Sequence, residues 1–210
     1  MEIKIQLCLL GEAYALHNNL KINLKKKILG LMAYLVVHKK PVPRSKLARL
    51  FWPEKEPNRG LNNLGALLYR LPSPLKECLE ITKNEVCFLS NRAEIDIDKF
   101  NENLYFSQQV WRNENELKKT VRNTLEASLE LYRGAFLEQL YLDNHEEFMN
   151  WLTQEQESYK RRAMSTATLL VSYYQERSNF KDAFTFAQHL LRIDPFDENA
   201  NLLIMTLWRS

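Results

Sequence analysis

Arg59, Asn62, Ala66 and Tyr69 follow one another at spacings of three, four and three, with Asn63 and Arg70 beside them. At about 100° per residue this spacing gathers them on one face of a helix, away from Leu61, Leu64, Leu67, Leu68 and Leu71. The residue types suit base-pair edges. An arginine fork matches the paired acceptors of guanine, an asparagine amide matches the donor and acceptor of adenine, and alanine can lie against a thymine methyl. The same arrangement also describes the solvated side of an ordinary amphipathic helix, so the stripe alone leaves both readings open. Lys25, Lys26 and Lys27 open one helical pattern, Arg44 and Lys46 open another, and Lys83 sits between two strand-like runs. With Ser45, which can donate to an anion from a helix start, they are expected to hold phosphates rather than read sequence.

Nothing else in the chain groups into a reactive site. His17, His38, His145 and His189 stand singly, and no glycine-rich phosphate loop or nucleophile elbow occurs. Asp96 with Asp98 and Glu146 with Glu147 fall at expected helix starts, where carboxylates favour the positive end of the helix dipole. Trp52, Trp111, Trp151 and Trp208 are expected as core or interface anchors. Cys8, Cys78 and Cys87 form an odd set with no CxxC spacing, against both a disulfide framework and a zinc site. No catalytic residue, metal ligand or cofactor is therefore expected, and no enzyme.

The elements that must position the stripe follow from periodicity. Ile3, Ile5, Leu7 and Leu9 alternate with polar residues, Gly11 interrupts, Tyr14 and Leu16 resume, Asn18 and Asn19 form a turn, and Leu20, Ile22 and Leu24 alternate again. Three short strands are expected there. Apolar residues at three and four predict a helix over 26–38, stopped by Pro41 and Pro43, then a short helix over 45–51 ended by Trp52 and Pro53. Asn58 is the expected N-cap of the third helix, over 58–71, which Pro72 and Pro74 end. Two β-like runs, 79–82 and 86–89, make a hairpin with Lys83 at its tip. Strands, three helices and a terminal hairpin describe a winged helix-turn-helix.

Beyond residue 90 the pattern is helical throughout: 97–108, 114–131, 146–177, 180–193 and 197–208. Residues 167–195 fit a tetratricopeptide-like hairpin, with Ser178 where such repeats usually turn on glycine. The expectation is an α+β winged helix over 1–92 followed by an all-α domain over 93–210, the latter stopping one helix into a further repeat, so that either its preceding helices cap the array or the chain is the front of a longer protein.

Composition agrees with a folded, helix-rich chain: of 210 residues, 45% are hydrophobic and 26% charged, with only 5 glycines and 7 prolines. The longest apolar run, 28–37, is short of the ~20 residues that cross a bilayer. A cytoplasmic protein is expected. The net charge of +3 divides unevenly. Residues 1–90 hold 15 Lys+Arg against 7 Asp+Glu, a net +8, and the remainder hold 14 against 19. A basic first half points toward a polyanionic partner.

The run Lys27-Ile28-Leu29-Gly30-Leu31-Met32-Ala33-Tyr34-Leu35-Val36-Val37-His38, then Val42-Pro43-Arg44-Ser45-Lys46-Leu47-Ala48 and Phe51-Trp52-Pro53, resembles the OmpR-type winged helix of the Streptomyces antibiotic regulatory protein family. Leu131-Tyr132-Arg133-Gly134-Ala135-Phe136-Leu137, Phe148, Trp151-Leu152 and Ile193-Asp194-Pro195 resemble the bacterial transcriptional activator domain that follows it there. The resemblance implies a transcription regulator whose winged helix binds double-stranded promoter DNA, with a helical domain that supports homodimerisation and regulation. It also implies that the loop carrying Trp52, Glu54, Lys55 and Glu56 faces RNA polymerase. The chain departs from the family pattern at Leu61 and Gly65, where arginines are common, and at Pro72, Ser73 and Pro74, where basic residues are common. An alternative consistent with that departure is a protein-interaction module that keeps the fold without reading DNA sequence.

Overall fold

A computed structural model describes residues 5–114 and 119–207, with side chains at 110–114 left aside. Ile3, Trp208, residues 115–118 of the helix expected over 114–131 and the side chain of Trp111 lie outside the described residues. The chain divides into two compact units, Met1–Asp96 with Phe136–Glu155, and Ile97–Ala135 with Gln156–Ser210.

The first unit begins with β1 (Ile5–Cys8), β2 (Tyr14–His17) and β3 (Leu20–Ile22), joined antiparallel. Asn18 and Asn19 both take positive φ, 51° and 65°, the geometry of a two-residue hairpin turn whose twist matches the strands. Gly11, at φ 102°, turns the chain between β1 and β2. The register sets Leu7 opposite Ala15. Directly opposed residues share a face, so Ala15 joins Ile5, Leu7 and Leu9 in the core while Tyr14 and Leu16 stay half-exposed, unlike the expected alternation.

Next come α1 (Lys26–His38), a two-residue β4 (Val42–Pro43), α2 (Arg44–Phe51) and α3 (Pro57–Tyr69). Asn58 is not the cap of α3. Pro57 occupies the first turn, where its fixed φ suits a helix start and its missing N–H costs nothing. Pro72 and Pro74 likewise begin a further turn, α4 (Ser73–Lys76), Pro72 just before it and Pro74 within its first turn, rather than only ending α3. The expected hairpin forms as β5 (Leu79–Ile81) and β6 (Glu85–Phe88), and β4 adds to it in the order β4-β6-β5. A 3-10 turn, Ser90–Arg92, leads to β7 (Ala93–Ile95), which pairs parallel with β1. Asp96 fixes that junction, its carboxylate accepting from the Leu9 and Leu10 amides at 2.7 and 2.9 Å.

Phe136–Glu155 packs into this unit from far along the chain. The Leu137 amide donates to the Leu9 carbonyl at 2.8 Å and the Glu138 amide to that of Gly11 at 3.1 Å. Phe136, Leu137 and Phe148 are fully buried. Gly30 makes room for this segment. A Cβ there would stand 3.0 Å from the Phe148 ring and 3.4 Å from that of Phe51. Trp151 lies edge-on to Tyr34 at 4.8 Å, and His145 Nε2 is 3.0 Å from the Phe51 carbonyl.

The second unit holds α5 (Asp96–Glu114, after its first residue), α6 (Lys119–Leu131), the later part of α7 (Glu146–Glu176), α8 (Phe180–Ile193) and α9 (Glu198–Leu207). α5 runs past the expected 108 because residues 109–114 contain no glycine or proline to stop it. In the α7–α8 hairpin the small residues Ala163, Ala167, Ala183 and Ala187 are buried. Asn179 caps α8 by accepting from the Asp182 amide at 3.3 Å. Across the hairpin the rings of Tyr174 and Phe186 stack at 5.6 Å. The expected architecture, a winged helix-turn-helix followed by a tetratricopeptide-like helical domain, is the one observed.

Ser178 holds φ 55° at the α7–α8 turn, a left-handed conformation that costs a side-chain-bearing residue roughly 1–2 kcal/mol. Ser178→Gly relieves that strain and adds backbone freedom to the unfolded chain. The expected net gain is up to about 1 kcal/mol. A urea midpoint that rises confirms this, and one that falls contradicts it.

Candidate nucleic-acid interface

α3 is anchored inward by Leu64, Leu68 and the following Leu71, all buried. It also passes close to α2. A Cβ on Gly60 would meet Ala48 Cβ at 3.5 Å and its carbonyl oxygen at 3.6 Å. With that face held, Arg59, Asn62, Ala66, Tyr69 and Arg70 are exposed and Asn63 is half-buried. Tyr69 is 81% exposed, and the ammonium of Lys76, from α4, stands 5.5 Å from its ring centre. Lys76 belongs at this surface yet was not readable from the sequence as part of it. The Ser-Pro pair at its helix start is the only local signal.

The stripe divides in two. Asn63, Ala66 and Arg70 line a groove of about 780 Å³ together with Lys25, Lys26 and Lys27 from the start of α1. Arg59, Asn62 and Tyr69 lie outside that groove. One side of α3 therefore shares a basic trough with α1, while the other is a separate polar face.

The cations differ in freedom. Lys25, Lys26 and Lys83 are exposed, as is the Ser45 hydroxyl in the first turn of α2. Lys27 is drawn inward. Its Nζ donates to the Phe51 carbonyl at 2.8 Å and sits 4.9 Å from the Trp52 ring, and burial pulls its pKa below the usual lysine value while Glu54 pulls it back. Lys46 is half-buried, its Nζ 5.7 Å from the Tyr34 ring. Arg44 is half-buried too. Its amide donates to the Asn84 carbonyl at 2.8 Å and its Nη1 to that of Thr82 at 3.3 Å. In the α2–α3 loop Trp52 is half-buried, Glu54, Lys55 and Glu56 are exposed, and Lys55 and Glu54 pair at 3.6 Å.

The family model of the bacterial transcriptional activator domain matches residues 95–209, more than half of the sequence. The chain belongs to this family. Comparison with curated proteins finds no match. Among solved structures, Mycobacterium tuberculosis EmbR in complex with a low affinity phosphopeptide aligns with a TM-score of 0.59 at 15% identity, over 99% of this chain and 65% of that one. At that identity the likeness is one of fold, and the chain spans about two thirds of the EmbR chain's length. The family match bears out the resemblance to the Streptomyces antibiotic regulatory protein family in its activator domain, and the EmbR likeness bears out the expected fold.

In this activator-domain chain the charge of the first unit is less one-sided than the sequence halves imply. Phe136–Glu155 brings Glu138, Asp143, Glu146, Glu147 and Glu155 and no Lys or Arg. The unit then holds 16 Lys+Arg against 14 Asp+Glu. Arg49 is claimed by one of these acids, Glu147, at 3.4 Å. The positive charge that remains is local, at the starts of α1 and α2 and the hairpin tip. Among the described residues no group of three or more His, Cys, Asp or Glu could hold a metal ion, and no helix is long and apolar enough to cross a membrane. Cys78 is buried, and burial pushes its thiol up to about 11, which makes it a poor nucleophile.

Proposed function

We propose that this activator-domain chain is a transcriptional regulator whose winged helix binds double-stranded promoter DNA in the cytoplasm. The observation that carries the reading is the exposed face of α3, with Arg59, Asn62 and Tyr69 clear of the groove and the exposed Lys25 and Lys26 lining that groove beside Arg70. In this reading α3 enters the major groove and Arg59, Asn62 and Tyr69 meet base edges, with Ala66, at the trough's edge, against a thymine methyl. Asn63 and Arg70, which share the trough with Lys25 and Lys26, stand where a sugar-phosphate strand would run, and so combine base reading with backbone contact. Lys83 at the wing tip and Ser45 at the start of α2 hold phosphates on the other side. Lys27 and Lys46 act indirectly, by fixing Trp52 and Tyr34.

The exposed loop of Glu54, Lys55 and Glu56, with Trp52 at its root, is the surface offered to RNA polymerase. The helical unit supports pairing of two copies on DNA, and Phe196, Leu202 and Met205 are among its exposed apolar side chains. No catalytic step is assigned.

Asn62→Ala and Lys26→Ala separate the two kinds of contact. Asn62→Ala is expected to lose about 1–3 kcal/mol of discrimination at one base pair while binding unrelated duplexes as before. Lys26→Ala should weaken all sequences alike and make the salt slope about one unit shallower. Competition binding on a set of single-base operator variants measures both. Equal loss of preference from the two substitutions contradicts the assigned roles.

A further inference from the structure

Three pieces of the winged helix converge on one side chain. Arg44 opens α2, its backbone amide holds the hairpin at Asn84 O, and its Nη1 holds the hairpin again at Thr82 O. Its other terminal nitrogen, Nη2, lies 3.5 Å from where a Cβ on Gly65, in the middle of α3, would stand. Among the described residues no carboxylate pairs with it. The guanidinium thus spans from the recognition helix to the wing.

Gly65 takes on meaning beside it. Glycine within a helix costs about 1 kcal/mol relative to alanine, so its presence needs a reason. A methyl group at 3.5 Å would be in ordinary contact with Arg44, but any longer side chain directed there would enter the volume of the guanidinium. A planar fork with five donors suits the place. It can bond the wing with one N–H and still present others outward, which a single ammonium does less well.

We propose that Arg44 is a positioning residue for DNA recognition, fixing the wing against α3 across the Gly65 gap rather than serving only as one more phosphate contact. The inference rests on the DNA-binding reading of the same surface, but its first test does not need DNA. In the free full-length chain, hydrogen exchange at the Thr82, Asn84 and Glu85 amides reports the hairpin, where Thr82 N donates to Glu85 O at 2.9 Å and Glu85 N to Thr82 Oγ1 at 3.0 Å. Arg44→Met keeps the stem and removes the donors. It is expected to speed exchange about five-fold, the effect of losing one hydrogen bond. Gly65→Leu, which displaces the guanidinium, should do the same, and the double variant should go no further, because coupled changes do not add. Gly65→Ala should match the parent. Lys83→Ala should weaken DNA binding without changing exchange.

On DNA, Arg44→Met is expected to lose preference between operator and unrelated duplex, with Arg44→Lys restoring the phosphate attraction but not the preference. Unchanged exchange in Arg44→Met overturns the clamp. Faster exchange with an intact preference overturns its role in recognition. A parent chain that binds no duplex at all sinks the DNA reading instead, and leaves the exchange result to stand or fall by itself.

Discussion

Phe148→Ala is expected to cost about 3–5 kcal/mol and to lower the stability of the winged-helix unit, although residue 148 lies more than fifty positions after that unit's last strand. The ring is fully buried, 5.1 Å from the Phe51 ring and 5.2 Å from that of Trp151. One wall of its site is the backbone of α1 at Gly30, where a Cβ would stand 3.0 Å from the Phe148 ring. A helix backbone cannot collapse into the space that alanine leaves. The cavity therefore persists, and the cost belongs at the upper part of the range for large-to-small changes. Urea unfolding followed by tryptophan emission measures it, since Trp52 and Trp151 both belong to this unit. A loss below about 1 kcal/mol would mean that the site relaxes, contrary to the packing described.

Any fragment that ends near residue 92 removes Phe136, Leu137 and Phe148 from the core they complete. It also removes the amides of Leu137 and Glu138 from the carbonyls of Leu9 and Gly11. DNA binding is therefore best assayed on the full chain.

Local pattern was enough wherever local forces decide. α1 follows its three-and-four apolar spacing over 26–38, and α8 occupies 180–193 between its asparagine cap and Asp194. The Asn18-Asn19 turn and the Lys83 hairpin also stand where their residue types point. What stayed illegible depends on partners remote in sequence. β7 is three residues long and exists because β1 offers an edge, and β4 exists because β6 does. Neither carries an alternation of its own. The annexed segment Phe136–Glu155 reads as loop and helix start, and nothing within it announces Gly30 as its seat.

The candidate site shows the same division. The outward stripe of α3 is exposed, as its spacing implies. Sequence could not distinguish among lysines. Lys26 and Lys27 are adjacent, yet one is exposed and the other rests on Phe51 O and the Trp52 ring. Long basic side chains lay their stems on apolar surface wherever an aromatic is near, and that proximity is a tertiary fact. The net +8 of residues 1–90 misled for a related reason, because the acids of Phe136–Glu155 fold into the same unit.

The local charge that survives sets the size of the second large effect. Lys25 and Lys26 are exposed cations in the groove beside α3, Lys83 is exposed at the hairpin tip, and Arg44 and Arg70 add two more at the helix. About five neutralised phosphates per protomer release a proportional number of counterions, giving a slope near −4.5 in log K against log salt. Because the first unit as a whole is nearly balanced, this attraction is short-ranged. Lys25→Glu with Lys26→Glu should make the slope shallower by more than the unit's net charge alone implies.

The most direct test of the account is the equilibrium affinity of the full chain for operator and unrelated duplex across a salt series. The account predicts a fall of about 500-fold between 50 and 200 mM salt on both duplexes, with the operator bound more tightly at every concentration. Absent binding, an affinity that moves less than about three-fold over that range, or the same affinity for both duplexes throughout, contradicts it.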